Sequence, residues 1–129
     1  MSRITIIGAG QMGSALTFPA IENGHEVRLV GTHLDREIID GLRENNYHKT
    51  LKATLYDKIQ YYQIEELDQA MEGADVVIGG VSSFGVDWFG TEILPKLPDG
   101  MEVITVTKGL INEEDGTLTP YPYYWKRML

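Results

Sequence analysis

The chain has no cysteine. Disulfides, thiolate nucleophiles and cysteine-ligated zinc are therefore excluded, and 129 residues are enough to bury a core without them. Positive charge is scarce as well: 11 Lys and Arg stand against 19 Asp and Glu, for a net charge of −8. A general nucleic-acid binder needs a basic face, so that class is disfavoured. An anionic ligand would need local help from backbone N–H groups or a placed lysine. No apolar run approaches the roughly 20 residues of a membrane span. The opening "MSRITIIGAG" carries no long apolar leader and no cleavage signal. Low-complexity tracts and internal repeats are missing too. The expectation is a soluble, cytoplasmic domain with no nucleic-acid partner, no membrane span and no metal site.

What is present alternates between two periods. "RITII" (3–7), "EVRLV" (26–30), "ADVVIG" (74–79) and "EVITV" (102–106) read as buried strands, and 59–63 as a further short one. Between them, 11–23, 35–45, 65–72 and 88–94 have helical spacing. Pro19 lies inside the first of these and predicts a kink. Residues 46–58 are polar and irregular and read as an excursion, and "LPDG" (97–100) as a turn. Strands alternating with helices predict βαβ units, hence an α/β fold of Rossmann type: a doubly wound parallel sheet in a single domain.

The first strand runs into "GAGQMG", with Gly8, Gly10 and Gly13 at the spacing G-x-G-x-x-G. The spacing alone is weak, but here it follows a strand, opens a helix and precedes a second strand at the right distance. Gly8 permits the tight turn, Gly10 lets the backbone approach a pyrophosphate, and Gly13 lets the helix pack on the strand. The helix N-terminus adds free N–H groups and partial positive charge. These residues predict a dinucleotide site. The acidic ribose reader expected after the second strand is replaced by Val30-Gly31-Thr32-His33. Asp35 comes late and reads as part of a helix start. Thr32 and His33 can hydrogen-bond a hydroxyl or a phosphate, and Arg36 is near, so both NAD and NADP remain open.

Two later loops follow strands and so face the same carboxyl edge. In "GGVSSFG" (79–85), Ser82 and Ser83 read as cofactor contacts or as a plain helix cap. In "TVTKGL" (105–110), Lys108 is placed to hold an anionic substrate.

Taken in order, "GAGQMGSAL", "NGHEVRLVGTHLD", "EGADVVIGGVSS" and "TVTKGL" resemble the N-terminal half of NAD(P)-dependent glycerol-3-phosphate dehydrogenase, over essentially the whole chain. The glycine motif is shared by many dehydrogenases; "TKGL" is the more specific element. The resemblance implies interconversion of sn-glycerol 3-phosphate and dihydroxyacetone phosphate by hydride transfer, supplying the backbone of phospholipids. It implies that Lys108 contacts both cofactor and substrate, that Gln11 and Met12 take the cofactor positions after Gly10, and that Thr32 and His33 take the polar pair after the second strand. The family's Val-Pro-Ser loop is Val81-Ser82-Ser83 here. The family continues into a C-terminal helical domain bearing a second lysine and most of the substrate pocket. Residues 1–129 are accordingly expected to be the NAD(P)-binding domain alone, truncated before that domain and inactive without it; a homodimer is compatible with the pattern. The aromatic tail "PYPYYWKRML" looks like an element that packs against something. Two alternatives stand beside this reading: a ketopantoate reductase-like dehydrogenase domain, which "TKGL" disfavours, and a non-catalytic NAD(P)-binding module.

Overall fold

The computed structural model describes residues 2–80, 88–97, 102–105, 110–112 and 118–120. Five strands form one parallel sheet in the order β5-β2-β1-β6-β7, where β1 is Arg3–Ile7, β2 Glu26–Val30, β5 Gln60–Tyr62, β6 Val76–Gly79 and β7 Glu102–Thr105. The chain steps outward from β1 to β2 to β5, then crosses back to lay β6 against the other side of β1. The strand order therefore reverses between β1 and β6. In a doubly wound sheet this reversal opens a crevice at the carboxyl ends of the strands, which is where ligands bind.

The apolar runs are continuous because both faces of the sheet are covered. Ile6, Val27 and Leu29 point to one face and meet Ile39 and Leu42 of α3 (Arg36–Asn45), with Leu55 and Ile59. Ile7, Val30 and Val77 point to the other and meet Leu67 and Ala70 of α4 (Leu67–Met71), with Ile93. One charged residue enters this second face. Arg28, buried on β2, donates from Nη1 to the carbonyls of Ala70 (3.0 Å) and Glu72, and so satisfies the end of α4. The edge strand β7 departs from the expectation of a buried strand: Val103 and Ile104 are 36% and 52% exposed.

Helix 11–23 is broken in two. α1 spans Gln11–Ala15 and α2 spans Thr17–Glu22, with Leu16 between them. Pro19 has no N–H to give to Ala15, and it falls in the first turn of α2, where that donor is not needed. Residues 88–94 also depart from a regular helix: Phe89–Ile93 form a π turn and Leu94–Lys96 a tight 3-10 turn around Pro95.

The excursion contains a hairpin. α3 closes on Asn46, left-handed at φ 62°, whose N–H donates to Leu42 O at 2.8 Å. Strands β3 (Tyr47–His48) and β4 (Ala53–Thr54) then pair antiparallel. β8 (Leu110–Asn112) and β9 (Leu118–Pro120) also pair antiparallel. Among the described residues no helix is long and apolar enough to cross a membrane.

Candidate nucleotide-binding site

The loop after β1 begins with Gly8 at φ +114°, a conformation open to glycine, and its N–H donates to Val30 O at 2.7 Å. This turn carries the chain over the end of the sheet and into α1. Gly13 lies so close beneath it that a Cβ there would stand 2.1 Å from Gly8 O. Gly10 is different. Its backbone, at φ −71° and ψ −171°, suits any residue, and a Cβ built on it meets nothing within 4 Å among the described residues. Packing among those residues does not require glycine at this position. The open space in front of Gly10 lies at the switch point, beside the first-turn N–H groups of α1, which have no acceptors within the helix. That cradle fits a pyrophosphate: Gly10 permits the approach, and the N–H groups that follow it supply donors. Gln11 and Met12 are both exposed there, and Gln11 Nε2 reaches Thr50 O at 3.5 Å.

Ala9, between the two glycines, is held through both its N–H and its carbonyl by side chains. Its N–H donates to Asp35 Oδ2 at 3.0 Å. Its carbonyl accepts from Ser14 Oγ at 3.1 Å and lies 2.6 Å from His48 Nε2. Asp35 stands at the cap position of α3, but its carboxylate makes no bond to that helix's first turn. Besides Ala9, it accepts from Thr32 N–H (2.9 Å) and Thr32 Oγ1 (3.0 Å). Val30–His33 holds no acid and Asp35 opens α3, as expected, but its side chain turns back and brings a carboxylate to the Thr32 turn just past β2. His48, fully buried, accepts from Leu51 N–H at Nδ1 (3.0 Å). Its proton is therefore on Nε2, and the ring donates to Ala9 O.

The other anticipated contacts divide. Thr32 is buried, and its hydroxyl donates to Asp35 Oδ2 and accepts from Leu34 N–H (3.2 Å), which shapes the turn. His33 is exposed, and its ring lies 5.7 Å from that of Trp88, linking the loop after β2 to the segment before β7. Arg36 is engaged in a two-point pair with Glu65, at 3.0 and 2.9 Å, which raises the Arg36 pKa and lowers that of Glu65. Ser82, Ser83 and Lys108 lie outside the described residues, as does the aromatic tail.

Sequence reasoning missed Asp35 and His48 as parts of this site. Asp35 had a local signal, an Asp three residues after Thr32 in a turn. His48 had none, since its partner is 39 positions away.

Comparison with known proteins agrees with this geometry. The family model described as NAD-dependent glycerol-3-phosphate dehydrogenase N-terminus matches residues 3–121. The NADP(+)-dependent glycerol-3-phosphate dehydrogenase of Archaeoglobus fulgidus is 37% identical over 123 residues, covering 95% of this chain and 36% of that protein. The glycerol-3-phosphate dehydrogenase structure from Plasmodium falciparum superposes with a TM-score of 0.80 at 22% identity, covering 99% of this chain and 38% of that one. A 2-dehydropantoate 2-reductase structure from Enterococcus faecalis shares the fold, with a TM-score of 0.63 at 24% identity over 84% of this chain and 34% of that one. The chain spans about a third of the length of the curated relatives it matches. With a family model covering nearly all of it, the chain belongs to the family of NAD-dependent glycerol-3-phosphate dehydrogenase N-terminal domains.

Proposed function

We propose that this chain binds NAD or NADP through the Gly8–Gly13 loop, as the nucleotide-binding domain of an enzyme that interconverts sn-glycerol 3-phosphate and dihydroxyacetone phosphate. The observation that carries this reading is Gly10: among the described residues no contact calls for glycine there, whereas a pyrophosphate lying against the backbone does. The bound nicotinamide supplies or receives the hydride. The chain's own residues hold the pyrophosphate on the α1 N–H groups and set the loop through Asp35 and His48.

In this reading Lys108, in the loop after β7, neutralises the substrate phosphate or the oxyanion at the reacting carbon. Ser82 and Ser83, which follow β6 in the sequence, are cofactor contacts in the same reading. The remaining two thirds of the relatives' length completes the substrate pocket, so residues 1–129 alone have no turnover. A cytoplasmic role in supplying glycerophosphate for phospholipids follows from the same reading. The test is saturable binding of NADH or NADPH to the purified chain, displaced by ADP-ribose, without consumption of dihydroxyacetone phosphate. Absence of dinucleotide binding would overturn the binding assignment, and robust turnover would overturn the division of labour.

A further inference from the structure

The hairpin β3–β4 lies outside the main sheet and carries no residue of the glycine motif. It nevertheless delivers one side chain to that motif. His48 is fully buried and donates from Nε2 to Ala9 O at 2.6 Å, while Leu51 N–H holds its Nδ1 at 3.0 Å. The hairpin is itself anchored: Asn46 N–H donates to Leu42 O of α3, Leu55 N–H to Asn46 O, and Lys52 N–H to His48 O, at 2.8, 2.7 and 2.8 Å. Leu55 is buried in the core beneath it. The imidazole is thus a rigid strut between a fixed hairpin and the middle of the glycine loop.

The two peptides that meet at Ala9 have little freedom to rotate. Asp35 holds the N–H of the Gly8–Ala9 peptide, and His48 and Ser14 hold the carbonyl of the Ala9–Gly10 peptide. Rotation of the Ala9–Gly10 peptide would swing Gly10, whose approach to the ligand depends on where its backbone points. Preorganised donors bind an anion better than donors that must be ordered on binding. A buried, doubly bonded histidine has a bland reading as well, a polar core residue that keeps the hairpin folded. The two readings differ in which of its two hydrogen bonds matters to the ligand.

We infer that His48 is a positioning residue for the dinucleotide pyrophosphate: through Ala9 O it fixes the glycine loop in its binding conformation, and it touches neither cofactor nor substrate. This inference rests on the nucleotide-binding reading above. His48 makes its two hydrogen bonds with different atoms, and two substitutions separate them. Gln places a donor near the position of Nε2 and serves Ala9 O. Asn places an acceptor near Nδ1 and serves Leu51 N–H. A purely structural histidine loses one hydrogen bond either way, and the two variants then behave alike.

The experiment measures the affinity of the full chain and of both variants for NADH, NADPH, ADP and adenosine. His48→Asn should weaken the dinucleotides and ADP by about tenfold, the scale of one lost hydrogen bond to the loop, with adenosine changed less than about twofold. His48→Gln should stay within about threefold of the unaltered chain for all four. Equal losses in the two variants, or equal losses for ADP and adenosine, would overturn the positioning role. If both variants fail to fold, the ring proton of His48 in the unaltered chain decides. Its Nε2–H resonance should shift on addition of ADP and stay in place with adenosine, and an unmoved resonance under saturating ADP would overturn the inference. An unaltered chain that binds no dinucleotide at all defeats the nucleotide-binding reading, and the positioning role with it. A chain that binds normally with both variants unaffected defeats the positioning role alone.

Discussion

Asp35 Oδ2 accepts a hydrogen bond from the Ala9 N–H at 3.0 Å, across 26 positions of sequence. The same oxygen accepts from the N–H and hydroxyl of Thr32, so one carboxylate ties the end of β2 to the glycine loop. The carboxylate stands just past the end of β2, the strand end at which a dinucleotide fold reads the ribose.

Asp35→Asn keeps the size of the side chain and removes the charge. A 2′-phosphate is then less repelled, and the ratio of NADPH to NADH affinity should rise by about fivefold, or ~1 kcal/mol. Asp35→Ala additionally leaves two backbone N–H groups without their partner, which should cost about 1–3 kcal/mol of stability. Calorimetric titrations and urea unfolding measure the two effects separately. An unchanged cofactor ratio in a folded Asp35→Asn protein would remove Asp35 from the ribose end of the site.

Gly13→Ala tests the packing beneath the loop. The added Cβ would lie 2.1 Å from Gly8 O, and a backbone oxygen cannot move aside as a flexible side chain does. The loss should be about 3 kcal/mol, the upper end of ordinary overpacking. It should appear as a lower urea midpoint whether or not cofactor is present. A midpoint unchanged from the parent would mean that α1 does not pack on β1 as described.

How much of this was legible in the sequence depends on range. β1 and β2 lie where their apolar runs begin and end, because burial on both faces leaves few polar residues inside them: Thr5, whose hydroxyl donates to Ala70 O, and Arg28, whose stem fits the sheet while its head caps α4. The break at Leu16 follows from Pro19, although its position one turn earlier depends on which residue the helix can lose. The hairpin 47–54 was hidden because each strand is two residues long and too short to show a period. Its order comes from contacts with α3 and the core. At the site, the glycines were legible from a local rule. For Asp35 only the turn with Thr32 was legible, and for His48 nothing was, since the bond each makes to Ala9 is set only when distant segments meet.

Alkaline titration probes the buried phenol of β5. Burial first, and the nearby Asp57 charge second, push the Tyr61 pKa up to about 12. A folded-state value above the ordinary one means that its contribution to stability is complete below about pH 10 and is lost as pH rises toward 12. The Tyr61 hydroxyl finds no hydrogen-bond partner among the described residues. Tyr61→Phe should therefore be neutral or stabilising at pH 7, within about 1 kcal/mol, and should flatten the alkaline loss. Urea midpoints measured from pH 7 to 12 check both. An alkaline loss of the same size in the Phe variant would contradict the assignment.

Lys108 is tested in the longer protein that includes the substrate pocket. Under the proposed role, Lys108→Ala should lower kcat/KM for dihydroxyacetone phosphate by about a hundredfold or more, with NAD(P)H affinity changed only a few-fold. Equal losses in both quantities would make Lys108 a cofactor anchor and not a substrate one.

The central claim is that the open space at Gly10 is the pyrophosphate site. It is tested most directly by calorimetric titration of NADH and NADPH into the chain and into its Gly10→Val variant, with urea unfolding run on both. Because a Cβ at Gly10 meets nothing within 4 Å among the described residues and the backbone there suits any residue, the variant should fold with an unchanged midpoint. The parent should bind at least one of the two dinucleotides at a single site, and the variant should bind neither. A folded Gly10→Val protein that binds NADH or NADPH as tightly as its parent would contradict the account.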